Sequence, residues 1–101
     1  MNSSRRSLAV LAAILLAPIA AAQTLTVPPG LLGPGSDIEI TIDGGKPGGT
    51  AQVEINPFPG GKQLLNVPLD AQGHGSAKWR VPLCYWVEFK YGSERAYRFI
   101  E

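Results

Sequence analysis

A single cysteine, Cys84, excludes any disulfide within the chain. Small exported domains often depend on such bridges, so this one must rest on its apolar core and backbone ladder, or on a partner. A single histidine, His74, and that one cysteine are too few for a zinc site of three or four ligands. Charged residues make up only 17% of the chain and form no run of one sign. That leaves no electrostatic footprint for nucleic acid or for an anionic membrane. No long helical stripe of apolar residues occurs after residue 22.

What is present at the N-terminus reads as targeting. Arg5 and Arg6 precede the uncharged stretch from Leu8 to Ala22, which ends in Ala20-Ala21-Ala22. A positive start, an apolar middle and an A-x-A end are the parts of a cleavable signal peptide. The stretch is shorter than the roughly 20 apolar residues a membrane span needs. Pro18 interrupts it and Pro28-Pro29-Gly30 follows it closely. Residues 1–22 are therefore predicted to be a cleaved signal peptide and residues 23–101 a single domain, exported to the periplasm, cell envelope or medium with no stable membrane span. Losing Arg5 and Arg6 turns a formal charge of +1 into −1, so the excess of base belongs to targeting.

Period-two alternation dominates the remainder. Asp37-Ile-Glu-Ile-Thr-Ile-Asp43 places three isoleucines on one face and polar residues on the other, as a half-buried strand requires. Ala51 to Ile55 repeats the pattern. Glycine and proline clusters at 44–49 and 56–61 read as turns, and Pro68 marks an edge or a strand end. Ser76 to Val81 places Ala77, Trp79 and Val81 together. The run 85–91 puts Tyr85, Val87, Phe89 and Tyr91 on one face and Trp86, Glu88 and Lys90 on the other. With Gly92-Ser93-Glu94 as the connection, 95–100 forms the last strand, and Tyr97 and Phe99 are expected to turn inward opposite Val87 and Phe89, with Trp79 as the large central core residue and Phe89 and Phe99 beside it. The expected strands are 24–27, 37–43, 51–55, 63–69, 75–81, 85–91 and 95–100. Seven short strands in about 80 residues predict an all-β, immunoglobulin-like antiparallel sandwich, with a small β-barrel as the alternative.

Three segments carry a likeness. Pro34-Gly35-Ser36-Asp37-Ile38-Glu39-Ile40 is a Pro-Gly turn opening a strand. Leu69-Asp70-Ala71-Gln72-Gly73 is a Leu-Asp-x-x-Gly turn, and Trp79-Arg80-Val81-Pro82 ends a strand in proline. In these segments the chain resembles the bacterial immunoglobulin-like and macroglobulin-type β-sandwich domains of exported proteins. The resemblance implies a fold and transfers no site.

The chemistry-bearing residues are sparse. Asp70, His74 and Ser76 share a turn region, but as a catalytic set they would lie in water without a pocket. Asp37, Glu39 and Asp43 alternate along one strand face, where a solvated face is a simpler reading than a calcium loop. No catalytic residue, metal or cofactor is expected. Trp86 is the most suggestive side chain, predicted to face outward with Glu88 and Lys90, beside Arg98 on the neighbouring strand. Exposed tryptophan marks binding surfaces. Cys84 is read as a half-buried hydrophobe, or as one half of an intermolecular disulfide. The expected function is non-enzymatic: binding of a protein or cell-envelope partner, or an envelope role. The alternative is a carbohydrate- or envelope-binding module built on the Trp86 face.

Overall fold

A computed structural model describes residues 23–101, so the predicted signal peptide at 1–22 lies outside the described residues. Seven strands follow in order: β1 (Thr24–Thr26), β2 (Asp37–Asp43), β3 (Thr50–Phe58), β4 (Gln63–Pro68), β5 (Gly75–Arg80), β6 (Trp86–Tyr91) and β7 (Glu94–Phe99). They make two antiparallel sheets, β1-β2-β5 and β4-β3-β6-β7. The architecture is an all-β sandwich of two sheets, and not the small barrel.

The alternation read in β2 places Ile38, Ile40 and Ile42 in the core, facing Ala51, Val53 and Ile55 of β3 and Val87 and Phe89 of β6. Each large apolar side chain buried this way contributes about 1.5–3 kcal/mol. Trp79 is buried among them. Its ring meets Phe89 edge-on, with centroids 5.5 Å apart, the geometry aromatic quadrupoles favour. Its indole N–H donates to Gln63 Oε1 at 3.0 Å, which satisfies the ring's one polar atom and ties β5 to β4 across the sheets. Pro68 is the last residue of β4, an edge strand, as its missing N–H requires.

Strand β3 runs further than the sequence suggested. Asn56-Pro57-Phe58 was expected to be a turn, but it pairs with β6 through Asn56–Glu88, Pro57–Val87 and Phe58–Trp86. The reason lies in the pairing. Phe58 C=O accepts from Tyr85 N–H at 2.7 Å, so Phe58 bonds toward β6 and the preceding Pro57 faces the β4 side. There β4 pairs no further than Ile55–Gln63, and no ladder donor is required of the proline.

The last hairpin also differs. Gly92 and Ser93 alone form the loop, because Tyr91 pairs with Glu94. Gly92 takes φ +59°, which suits the first position of a two-residue hairpin loop. The register therefore sets Phe89 opposite Ala96 and Val87 opposite Arg98. Tyr97 and Phe99 face outward, with Phe99 69% exposed. The expectation that they enter the core is thus corrected, as is the inward placement of Tyr85, which precedes β6 and is exposed.

Two loops lock together at one end of the sandwich. Gly45 N–H donates to Gly73 C=O at 3.0 Å, and Gly48 N–H to Asp70 C=O at 2.8 Å. Gly73 has φ +76°, and a β-carbon there would overlap the Gly45 carbonyl. The chain's first and last segments also meet. Leu32 forms a parallel bridge with Ile100, so the segment after β1 leaves the first sheet and joins the edge of the second.

Candidate functional site

The outer face of the four-stranded sheet carries the features that a binding site would use. Its register aligns residues in rows across the strands. One row is Phe58, Trp86 and Phe99 on β3, β6 and β7. The next is Asn56, Glu88 and Tyr97, and the third is Glu54, Lys90 and Arg95. Cross-strand neighbours stand about 5 Å apart, so each row is a continuous strip of side chains.

The first row is aromatic. Phe58 and Trp86 stack at 5.5 Å with planes 19° apart. Tyr97 approaches Trp86 at 6.4 Å, tilted by 45°. Trp86 is half-buried by these neighbours, while Phe58, Tyr97 and Phe99 are exposed. An open apolar depression is lined by Trp86, Tyr97, Arg98 and Phe99.

The second row is a hydrogen-bonded polar strip. Tyr97 O–H donates to Glu88 Oε2 at 2.7 Å. Asn56 Nδ2 donates to Glu88 Oε1 at 3.2 Å and to Glu54 Oε2 at 2.9 Å. Lys90 Nζ stands 3.8 Å from Glu54 Oε2. The Asn56 hydrogen bond, aided by Lys90 and Lys62 and opposed by burial, holds the Glu54 carboxyl below its ordinary range. The strip fixes the rotamers of Glu88 and Tyr97 beside the aromatic row.

Of the four residues the sequence singled out, Trp86, Glu88 and Lys90 do share this outer face. Arg98 borders the depression, but its guanidinium does not point outward with them. Paired with inward Val87, it reaches round the edge of β7. Its Nε donates to Pro28 C=O at 2.7 Å and its Nη2 to Val27 C=O at 2.9 Å. The guanidinium fork thus clasps the segment after β1, a structural use that suits its planar set of donors. Phe58, Tyr97 and Phe99 take the place beside Trp86 that sequence reasoning gave to Arg98. The two-residue Gly92-Ser93 loop was the available signal for this, since loop length sets hairpin register.

Cys84 lies two residues before Trp86 and is half-buried. Burial pushes its thiol up, and a backbone hydrogen bond from Phe58 offsets this only in part. The protonated form is the less reactive one in disulfide exchange.

The other candidate clusters do not assemble. Asp70 Oδ1 accepts the backbone N–H groups of His74 at 3.0 Å and Gln72 at 2.9 Å. His74 Nδ1 lies 3.8 Å from Asp43, and Ser76 Oγ is within 3.0 Å of Thr41 Oγ1. Each member of the supposed catalytic trio is thus engaged elsewhere. The acids of β2 also part company: Asp37 pairs with Arg80 at 3.2 Å, while Asp43 accepts from Gly44 N–H.

The Asp70 turn gives a pH prediction. Its bonds to His74 and Gln72 N–H hold the carboxyl below its ordinary 3.8. A depressed folded-state value adds stability that is present above the unfolded value and is lost as pH falls through the folded one. The urea midpoint should therefore drop as pH is lowered from 5 to below 3. Asp70→Asn, which cannot ionise, should reduce that drop while lowering the midpoint at neutral pH. An identical acid dependence in wild type and variant would count against the turn's role.

Compared with models of known protein families and with curated proteins, the chain matches none.

Proposed function

We propose that the protein is an exported immunoglobulin-like domain with a non-enzymatic role, binding a protein partner through the outer face of its larger sheet. The observation that carries this is the exposed row of Phe58, Trp86 and Phe99, with Tyr97 beside it. Surface aromatics grouped in this way resemble the anchors of protein interfaces, where large rigid rings supply most of the binding energy. The hydrogen-bonded strip of Asn56, Glu88 and Tyr97 supplies a polar rim next to them. Export rests on the N-terminal sequence from Arg5 to Ala22.

The same geometry weighs against the carbohydrate reading. Sugar stacking uses an open ring face, and Trp86 gives one face to Phe58.

Phe99→Glu is the direct test. The side chain is exposed on an edge strand, so the fold should survive, as circular dichroism would check. Truncating or charging a central anchor typically costs 2 kcal/mol or more of binding, which is a loss of about thirtyfold in affinity. Captured partners from the compartment into which the protein is secreted should be retained by wild type and released by the variant. A partner held equally by both would overturn the assignment of this face.

A further inference from the structure

The sandwich has two unlike ends. The loops at 44–49, 69–74 and 92–93 share one end, where Asp43, Lys46, Asp70, His74 and Glu94 lie. The loops at 27–36, 59–62 and 81–85 share the other, with the end of β7. Those three loops contain a single charged residue, Lys62. Among the described residues, six of the seven exposed large hydrophobics lie at this second end or in the first two rows of the adjoining sheet face: Leu31, Phe58, Leu83, Tyr85, Tyr97 and Phe99; the seventh, Leu64, stands further along, in the Glu54 row. Leu83 is 86% exposed. Backbone bonds hold neighbouring segments of this end side by side: Tyr85 N–H donates to Phe58 C=O, Ile100 N–H to Tyr85 C=O, and Leu32 N–H to Phe99 C=O.

The area is that of an interface. At about 200 Å² per large side chain and the exposures they show, these six together expose on the order of 800 Å². A standard protein interface takes about 800 Å² from each partner. Contiguous apolar patches of this size are rare on monomers.

We infer that the apolar end and the Phe58–Trp86–Phe99 row are covered by a second copy of this chain. The inference rests on the protein-binding reading above and names the partner. The row is flat, uncharged and carried on three neighbouring strands, so it can lie against its own counterpart without opposing like charges. A two-fold axis along the row sets Phe58, Trp86 and Phe99 on the same residues of the other copy, as an isologous contact requires. It reverses the strands, so the two charged ends point away from each other. The Glu54–Lys90–Arg95 row stands four residues along β6 from Trp86, about 13 Å, and is carried outward rather than into the contact. Association is also one of the few stabilising devices open to a small domain with no internal disulfide. A membrane suits the patch less well, because the end has no cluster of lysine or arginine to meet anionic headgroups.

The test is sedimentation velocity of the protein purified from a secreting host, across a wide concentration range and with reductant present so that Cys84 is kept as a thiol. Wild type should sediment as a dimer that dissociates on dilution. Phe99→Glu should raise the dissociation constant about thirtyfold or more. Leu64→Glu, at an exposed leucine in the Glu54 row, away from the aromatic row, should leave it unchanged. Circular dichroism checks that both variants fold. Three results would overturn the inference. One is wild type that stays monomeric at every concentration. Another is equal weakening by Phe99→Glu and Leu64→Glu. The third is a monomer that co-sediments with phosphatidylcholine vesicles and loses this with Phe99→Glu. A monomer that still captures a different protein, and releases it with Phe99→Glu, would defeat self-association while leaving the protein-binding reading intact.

Discussion

Replacing Trp79 with alanine should lower the unfolding free energy by about 3–5 kcal/mol, the usual cost of removing a buried aromatic side chain. The ring fills the space between the sheets against Phe89. Its loss leaves a void that the two packed sheets can close only in part, and it also removes the indole N–H bond to Gln63 that ties β5 to β4. Domains of this size stand near the lower end of the usual stability range of about 5–15 kcal/mol. The alanine variant should therefore be largely unfolded, or close to it, in buffer. Trp79→Phe keeps most of the apolar volume and removes the donor, and should cost about 1–2 kcal/mol. Urea unfolding followed by circular dichroism reads both. A cost below about 1 kcal/mol for the alanine variant would mean that the ring is not part of the core.

The second large effect is expected at a glycine. Gly73→Ala places a side chain where φ is +76° and where its β-carbon overlaps the Gly45 carbonyl. The left-handed backbone alone costs an alanine about 1–2 kcal/mol. The overlap adds to this, because relieving it moves the Gly45 N–H away from the Gly73 carbonyl it bonds. A total of about 3 kcal/mol or more is expected. Gly48→Ala is the matched control. It has φ +72° with open space around the missing side chain, so it should pay only the backbone term. The difference between the two variants measures the contact between the loops at 44–49 and 69–74. Equal midpoints for the two would show that the loops do not brace each other.

The strands with one wet face were easy to read. In β2 the alternation of isoleucine with Asp37, Glu39 and Thr41 leaves one choice of inner face, and the structure takes it. Trp79 was recognisable as core because Ala77 and Val81 flank it at the same parity. In β7 the pattern was ambiguous. Ala96, Arg98 and Ile100 share one face and Tyr97 and Phe99 the other, so preferring the larger side chains for the interior gave the wrong side. A loop read as three residues instead of two shifts the pairing by one, and a one-residue shift turns every side chain over. The prolines of 56–59 misled for a different reason. Proline argues against a central strand, yet Pro57 lies where β3 has lost one neighbour. Of the binding face, Trp86, Glu88 and Lys90 were legible from β6 alone. Phe58, Tyr97 and Phe99 depended on pairing between strands, which parity within a single strand does not contain.

The bridge between Leu32 and Ile100 bears on the order in which the fold can close. Leu25 N–H reaches the Glu94 carboxylate, 69 residues away, and Arg98 holds Val27 and Pro28 across separations of 71 and 70. Beside the ladder that β1 forms with β2, the segment at 25–32 thus finds further partners about 70 residues later, on β7 and just after it. Loop closure over such lengths must precede the contacts that reward it. The contacts that join the β1 segment to β7 therefore depend on the final strand being in place, and they act as a clasp between the two sheets.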